Sequence, residues 1–104
     1  MTEGALTEAE VQAMLPELEG WHYSGGHLRK SFRLGDFSNA LGFMVRVGLE
    51  CEKLDHHPNW YNCYDVVDVQ LWTHRVSGVT GIDVRLAQVM NRIAAEAGAN
   101  AQEP

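Results

Sequence analysis

The stretch WYNCYDVVDVQLWTH, residues 60–74, decides how this chain folds. From Val67 onward its apolar and polar residues alternate with a period of two, which is typical of a β-strand whose two faces meet different surroundings. Gly78 interrupts this pattern, so we expect one or two strands here. The residues expected on one face are Val67, Val69, Leu71 and Thr73, and those expected on the other are Asp68, Gln70, Trp72 and His74.

A long amphipathic helix is predicted immediately before this strand region. Between residues 37 and 54, apolar side chains recur at spacings of three and four, which is the period of one helical face. Asp36 marks its start, and Pro58 sets its latest end because the residue before a proline is biased away from the α region. The predicted apolar stripe is Phe37, Ala40, Leu41, Met44, Val47, Gly48, Cys51 and Leu54.

Two capping boxes and a glycine pair predict the remaining elements. TEAE at residues 7–10 and TGID at residues 80–83 each place a carboxylate three residues after a threonine, the pattern that opens a helix. Gly25-Gly26 separates two short extended runs between residues 21 and 33, which indicates a β-hairpin. The apolar faces expected are Val11, Met14 and Leu15 for the first helix, and Ile82, Leu86, Val89 and Ile93 for the last.

The order helix, hairpin, helix, strands, helix predicts a small α+β fold with helices on one side of an antiparallel sheet. The other side of the sheet could meet water or a partner chain. At 104 residues the chain allows one domain, residues 1–104, with a core of its own. The tail from Ala94 is small and polar, and the ends, about residues 1–6 and 98–104, are expected to fray.

Composition and charge narrow the range of functions. The chain is 45% hydrophobic and 21% charged, which excludes wholesale disorder, and its net charge of −6 disfavours direct contact with nucleic acid. It has no apolar run long enough to span a membrane and no signal-peptide pattern, so we expect a cytoplasmic protein. Cys51 and Cys63 lie in apolar patterns and are expected to be buried, reduced thiols; a catalytic thiol at Cys63 is the alternative.

Three histidines are the leading candidates for chemistry. His56 and His57 lie where the long helix stops, and His74 lies where the strand stops, so rigid elements would hold all three at loop edges. Imidazole has an unperturbed pKa of about 6.5 and can give or take a proton at cellular pH. The structural alternative stays open, because adjacent histidines occur by chance and a helix C-terminus favours a cation.

Two carboxylates accompany these histidines. Glu52 precedes His56 by four residues, so the two side chains would be neighbours if the helix continued that far. Asp83 occupies the third position of its capping box, a role that is compatible with a place at the edge of a pocket. An ordinary surface pair and an ordinary cap are the alternatives.

The spacing of the histidines argues against a metal site. Adjacent side chains diverge in most backbone conformations, and the sequence supplies no His-x-x-x-His or His-x-His pair, so no bound metal is expected. Aromatic side chains near the histidines could stack on a flat heterocycle, although packing in the core is the default for each of them. These aromatic residues are Trp60, Tyr61, Tyr64 and Trp72.

The same region resembles the pterin-4a-carbinolamine dehydratase family. A His-His-Pro followed at this distance by a Thr-His is far more specific than a histidine pair, and the gaps of the family pattern are kept without insertion. Weaker similarity extends upstream to residues 20–40. The matching stretches are EKLDHHPNW at residues 52–60, NCY at 62–64, LWTH at 71–74, GVT at 78–80, Asp83, and Leu86-Ala87.

The resemblance implies both a fold and a reaction. The fold is a four-stranded antiparallel sheet with helices on one face, assembled into homodimers or homotetramers. The reaction is that of a hydro-lyase: a 4a-hydroxytetrahydropterin loses water to give the quinonoid dihydropterin during tetrahydrobiopterin recycling. The resemblance implies neither a metal nor an organic cofactor.

The resemblance also suggests roles for particular residues. We expect His57 and His74 to be the proton-transfer pair, with His56 aiding binding and protonation of the leaving group. Glu52 would orient an imidazole, and Asp83 would support His74 or the pocket edge. The substrate contacts implied are Asp55, His56, His57, Trp72, Thr73, His74 and Arg75.

Two positions depart from the family pattern. Ile82 stands where some members carry arginine, so a charged contact to the substrate is absent at that position. Arg75 follows His74 where an acidic residue is frequent, which places a cation beside that imidazole.

Two non-catalytic alternatives use the same fold. Members of the family also act as dimerisation cofactors for a homeodomain transcription factor or as regulators of hydroxylase expression, which would give the chain a regulatory protein partner. The other alternative is a pterin-binding protein that serves molybdopterin or folate metabolism through the same pocket.

Overall fold

The structure is a computed structural model, and it describes residues 4–97. The expected fraying of residues 1–3 and 98–104 lies outside the described residues. At the start of the described part, the Leu6 amide donates a hydrogen bond to the Val79 carbonyl at 2.7 Å. This contact ties the chain to the rest of the fold before the first helix begins.

The elements follow the predicted order. Helix α1 spans Glu8–Met14 and continues into a short 3-10 turn, Leu15–Glu17. Strands β1, His22–Ser24, and β2, His27–Arg33, form the hairpin. The long helix α2 spans Phe37–Leu54, and the strand region contains two strands, β3, Asn59–Cys63, and β4, Val66–Leu71. A 3-10 turn, His74–Val76, precedes the last helix α3, Gly81–Glu96.

The four strands form one antiparallel sheet in the order β1-β2-β4-β3. Leu28 pairs with Leu71 and Phe32 pairs with Val67, and all four side chains are buried. Arg29 pairs with Gln70 on the opposite face. The helices therefore cover one face of the sheet, and the α+β fold predicted from the sequence is confirmed.

The period-two pattern of the strand region is also confirmed. Val67, Val69, Leu71 and Thr73 are buried, whereas Asp68 and His74 are exposed. The hairpin turn depends on positive φ angles at Gly25 and Gly26, +62° and +81°, which glycine adopts without steric cost.

Both predicted helix caps form. The side chain of Thr7 accepts from the Glu10 amide, and the Thr80 amide donates to the Asp83 carboxylate at 2.9 Å. Val11 in α1 is fully buried and Leu15, which begins the following 3-10 turn, is partly buried, but Met14 at the end of the helix is exposed.

The predicted stripe of α2 is wrong in part. The buried face is centred on Ala40, Phe43, Val47 and Cys51, whereas Phe37 and Leu41 are about half exposed. The helix carries two neighbouring apolar stripes, and only one of them can face the sheet. The other forms the α2 ridge, which we define as Phe37, Leu41, Val45 and Leu49; all four side chains are exposed.

Three other expectations are corrected by burial. Ile82 is expected on the apolar face of α3 but is 37% exposed, whereas the neighbouring Asp83 is fully buried. At the other end α3 continues through Ala94, which is buried, to Glu96, so the chain does not fray from Ala94. Cys51 is buried as expected, but Cys63 is exposed because it ends the edge strand β3 on the uncovered face.

Among residues 4–97, neither of the long helices has the length and apolar content that crossing a bilayer requires.

Candidate active site

Helix α2 ends directly before the two adjacent histidines, His56 and His57. Asp55 adopts a left-handed conformation, φ 52° and ψ 45°, and its amide bonds to the Glu52 carbonyl while the His56 amide bonds to the Cys51 carbonyl at 3.1 Å. This is the Schellman pattern that closes many helices, here with aspartate in the position that glycine most often takes. The helix therefore stops before His56.

His56 pairs with a carboxylate far away in the sequence. Its Nε2 lies 2.6 Å from Asp83 Oδ1, and the pair is well shielded: the His56 side chain is 12% exposed and that of Asp83 is 0% exposed. The expected neighbour, Glu52, does not contact His56, because the helix ends before the i+4 geometry is reached. Asp83 was expected to support either His74 or the pocket edge, and its imidazole contact is with His56 rather than His74.

Asp83 is satisfied on both carboxylate oxygens. Besides His56 on Oδ1, Oδ2 accepts from the Thr73 hydroxyl at 2.8 Å and from the Thr80 amide at 2.9 Å. The Thr80 hydroxyl lies 2.9 Å from Thr73 Oγ1; because Thr73 already donates to Asp83, Thr80 is the donor in that contact. The helix cap and the site thus share one buried carboxylate.

His57 pairs with Glu52 instead. Its Nε2 lies 2.8 Å from Glu52 Oε1, and both side chains are open to solvent, 56% exposed for His57 and 77% for Glu52. Glu52 thus contacts the imidazole of His57 and not the His56 ring that the spacing of four residues suggests.

His74 begins the short turn after β4 and is exposed. Its Nε2 lies 3.3 Å from Asn59 Oδ1, a long hydrogen bond. Its ring stacks on Trp72 with centroids 4.4 Å apart and planes at 10°. Asn59, the first residue of β3, was not among the predicted site residues. Only the β3–β4 pairing, in which Asn59 is opposite Gln70, brings it to His74.

The three histidines line one cavity of about 380 Å³. Its volume lies within the range of small-ligand pockets. Asp83 lies behind this surface, where it holds His56, and Glu52 lies beside it. The lining residues are Asp55, His56, His57, Trp72, Thr73, His74, Arg75 and Ile82.

The hydrogen bonds of the three rings share one feature. In each ring Nε2 faces a carboxylate or amide oxygen: Asp83 for His56, Glu52 for His57, and Asn59 for His74. An oxygen acceptor requires a proton on the nitrogen that faces it. When the ring is neutral, Nδ1 therefore carries the lone pair.

The aromatic residues near the histidines behave differently from one another. Tyr61 and Tyr64 are exposed rather than packed in the core, and Trp60 is partly buried against it. Trp72 lines the cavity, but both faces of its indole are taken, one by His74 and the other by His27 at 3.8 Å between centroids. A flat ligand therefore cannot stack on Trp72 without displacing an imidazole.

A larger cavity, about 610 Å³, lies along α2 and includes Leu41, Phe43 and Val45. Arg46 is its one ionisable lining residue, so it offers little for proton transfer. Within residues 4–97, no three His, Cys, Asp or Glu side chains are arranged as a metal site.

The fold and the histidine-lined cavity define a small α+β protein with a pocket suited to acid–base chemistry. Residues 4–93 match the model of the pterin 4 alpha carbinolamine dehydratase family. The chain belongs to that family.

Individual relatives agree with this assignment. Proteins of Brucella ovis and Brucella canis, both provisionally named pterin-4-alpha-carbinolamine dehydratase, are 47% identical over 96 residues, which cover 90% of this chain and 99% of theirs. A crystal structure from Brucella melitensis, described as a transcriptional coactivator/pterin dehydratase, has a TM-score of 0.85 and 46% identity. It matches 88% of this chain and 99% of its own.

Proposed function

We propose that this protein is a hydro-lyase that dehydrates a 4a-hydroxytetrahydropterin to the quinonoid dihydropterin by histidine acid–base catalysis. The observation that carries the proposal is the convergence of His56, His57 and His74 on one cavity of about 380 Å³. Family membership supplies the substrate class. A place in tetrahydrobiopterin recycling is part of the same proposal.

The reaction needs one proton delivered and one removed. The substrate carries a hydroxyl on a carbon that also bears a nitrogen. When the carbon–oxygen bond breaks, the departing oxygen takes a proton and leaves as water. The neighbouring nitrogen loses its proton, and its electron pair forms the new carbon–nitrogen double bond. An acid and a base in one pocket balance this reaction, and each contributes roughly 10²- to 10⁴-fold in rate.

We assign proton transfer to His57 and His74. Both rings are exposed at the cavity and can exchange protons with solvent after each turnover. His56 is held by the buried Asp83, which suits a ring that binds the substrate and assists the leaving hydroxyl. Because Nε2 of each ring faces a protein oxygen, Nδ1 is the nitrogen that exchanges a proton with the substrate.

The remaining lining residues would hold the pterin in place. Asp55 and Thr73 present polar groups to the cavity, and Arg75 supplies a cation there. Ile82 adds an apolar surface where some family members have arginine, so this pocket favours a less charged part of the substrate at that side. Trp72 contributes its ring edge, since its two faces are covered.

The test is to replace the proposed proton carriers one at a time. His57→Ala and His74→Ala should each lower the dehydration rate at least tenfold, because each removes a positioned acid or base. The assay adds purified protein to an aromatic amino-acid hydroxylase that generates the 4a-hydroxytetrahydropterin. His22→Ala is the matched control, since His22 is an exposed histidine on β1 outside the cavity. Near-normal turnover in both single variants would refute the assignment.

A second candidate function is regulatory. The Brucella melitensis relative is described as a transcriptional coactivator as well as a pterin dehydratase. In this chain the exposed α2 ridge offers an apolar surface that a partner protein could cover. Tight pterin binding without acceleration of dehydration would favour a pterin-binding role in molybdopterin or folate metabolism. A regulatory partner protein is compatible with either result of the dehydration assay.

We also propose that the chain forms a homodimer or homotetramer. Two surfaces support this assembly: the edge strand β3, whose outer side has no neighbour in the four-stranded sheet, and the α2 ridge. Light scattering after size exclusion tests it directly. If the α2 ridge forms the interface, the double variant Leu41→Asp, Leu49→Asp should have a lower molecular mass in solution than the parent. A parent protein with the mass of a single chain would contradict the proposal.

A further inference from the structure

Three aromatic rings form a continuous stack that runs into the cavity. His27 lies against one face of Trp72, with centroids 3.8 Å apart and planes at 8°, and His74 lies against the other face at 4.4 Å and 10°. Trp72 and His74 line the cavity, whereas His27 does not. His27 therefore reaches the site only through the indole.

The sheet places His27 at this position. Leu28 pairs with Leu71, so the preceding residue of β2 lies opposite the residue that follows β4, and these are His27 and Trp72. His27 is the first residue after the Gly25-Gly26 turn, which fixes where β2 begins. The ring comes to lie on the face of the sheet that the helices leave uncovered.

Polar contacts hold the His27 ring in its plane. Its Nδ1 lies 3.2 Å from Gln70 Oε1 and 3.4 Å from Arg29 Nη2. A protonated Nδ1 donates to Gln70 and an unprotonated one accepts from Arg29, so the two hydrogen bonds are alternatives. Arg29 is itself held by a hydrogen bond from Nε to the Ser24 carbonyl at 3.1 Å. His27 is thus a half-buried ring with a polar partner on the sheet in either tautomer.

The His74 side chain is more exposed to solvent than that of His27. Its hydrogen bond to Asn59 is long, 3.3 Å, and its side chain is exposed in a short turn. Its ring also stacks on the face of Trp72. The orientation of His74 therefore depends on where Trp72 lies, and Trp72 in turn lies against His27.

We propose that His27 is a positioning residue for the dehydration, which sets the plane of Trp72 and through it the orientation of His74. The expected effect on kcat rests on the proposed function. The expected effect on the orientation of His74 is independent of it. The feature that matters at position 27 is a flat ring that can stack, not an imidazole proton.

The test compares two substitutions that separate the ring from its nitrogens. His27→Ala removes the stack and should lower kcat roughly two- to tenfold, the range of one aromatic pair. His27→Phe keeps a flat ring without a ring nitrogen and should restore kcat to within about twofold of the parent. The apparent KM should change less than kcat in His27→Ala, because His27 does not line the cavity. His22→Ala, a histidine on the neighbouring strand, should leave kcat unchanged.

A second readout does not need catalysis. The ring current of Trp72 shifts the imidazole carbon-bound protons of His74, which can be identified by their loss in His74→Asn. His27→Ala should move these resonances toward the values of an unstacked histidine, and His27→Phe should leave them near the parent values. Trp72→Ala should move them furthest.

The two readouts separate failure of the inference from failure of the proposed function. If the parent protein does not dehydrate the substrate but His27→Ala moves the His74 resonances and His27→Phe does not, the positioning role stands and the enzyme assignment falls. Unchanged His74 resonances in His27→Ala overturn the positioning role. A His27→Phe variant as impaired as His27→Ala in both readouts also overturns it, because the polar contacts would then be what matters.

Discussion

The site contains two carboxylate–imidazole pairs with nearly the same hydrogen-bond length and opposite surroundings. Asp83 and His56 meet at 2.6 Å with the carboxylate fully buried, and Glu52 and His57 meet at 2.8 Å with both side chains open to water. The buried pair joins α3 to the turn after α2, so it is part of the tertiary structure. The exposed pair joins residues five positions apart on one segment.

The distance between two charged groups does not by itself decide how much their contact contributes to the free energy of unfolding. Removing one partner of a buried pair destabilises the fold strongly, because the remaining group is left without a hydrogen-bond partner and without water. Exposed pairs contribute little, because water replaces the lost contact and salt screens the charge. One pair is therefore suited to fixing a ring, and the other leaves its ring free to exchange protons.

The largest effect is expected from removing the buried carboxylate. Asp83→Ala should lower the free energy of unfolding by about 3 kcal/mol, because His56, the Thr73 hydroxyl and the Thr80 amide all lose their acceptor. For a domain of this size that corresponds to a fall in Tm on the order of 15 °C. Urea unfolding followed by circular dichroism measures it. Glu52→Ala is the matched control, and a loss below about 1 kcal/mol in Asp83→Ala would contradict the account.

The thiol at the end of α2 gives a smaller effect that depends on pH. Burial, followed by the nearby charges of Glu50 and Glu52, raises the pKa of Cys51 from 9.0 to about 11. A raised pKa in the folded state means that the neutral thiol stabilises the fold fully below pH 9. This stability is lost as the pH rises through 11.

The stability of the parent should therefore fall between pH 9 and pH 11 more steeply than that of Cys51→Ala. Urea midpoints taken across this range test the slope, which is independent of any constant loss caused by the smaller side chain. Cys63→Ala, at the exposed cysteine, should keep the parent's slope. Equal slopes in the parent and in Cys51→Ala would show that the thiol is not shielded as the structure places it.

Much of the frame of this site follows from local sequence. The capping box at residues 80–83 predicts where α3 begins, and the period of two after Val67 predicts which side of β4 is buried. Both signals are local, because a cap and a strand face each depend on residues within a few positions. For the same reason the sequence identifies the three histidines and both carboxylates as candidates.

The pairing of these groups could not be predicted in the same way. Glu52 meets His57 rather than His56 because Asp55 takes a left-handed conformation, a choice that helix periodicity does not contain. Asp83 meets His56 because α3 packs beside the end of α2, which is a tertiary event. The contact between His27 and Trp72 is also not predictable from local sequence, since it depends on the pairing of β2 with β4.

The choice between the two apolar stripes of α2 has a similar cause. Phe37 and Leu41 fit the helical period as well as Phe43 does, and periodicity cannot tell which stripe meets the sheet. The same limit applies to Cys63, whose apolar neighbours suggested burial although it ends an edge strand. Local pattern gives the element, and packing decides which of its sides is covered.

The smallest effect is expected at the exposed pair, where Glu52→Gln keeps a hydrogen-bond acceptor but removes the charge. Its Tm should match the parent, because both partners are solvated and the pair is screened. Dehydration should slow by no more than about fivefold, since an exposed pair contributes under about 1 kcal/mol to the orientation of His57. This difference should shrink as salt is added, whereas the Tm loss of Asp83→Ala should persist in salt. A Tm loss in Glu52→Gln comparable to that of Asp83→Ala would remove the distinction between the two pairs, because burial would then no longer explain which contact stabilises the fold.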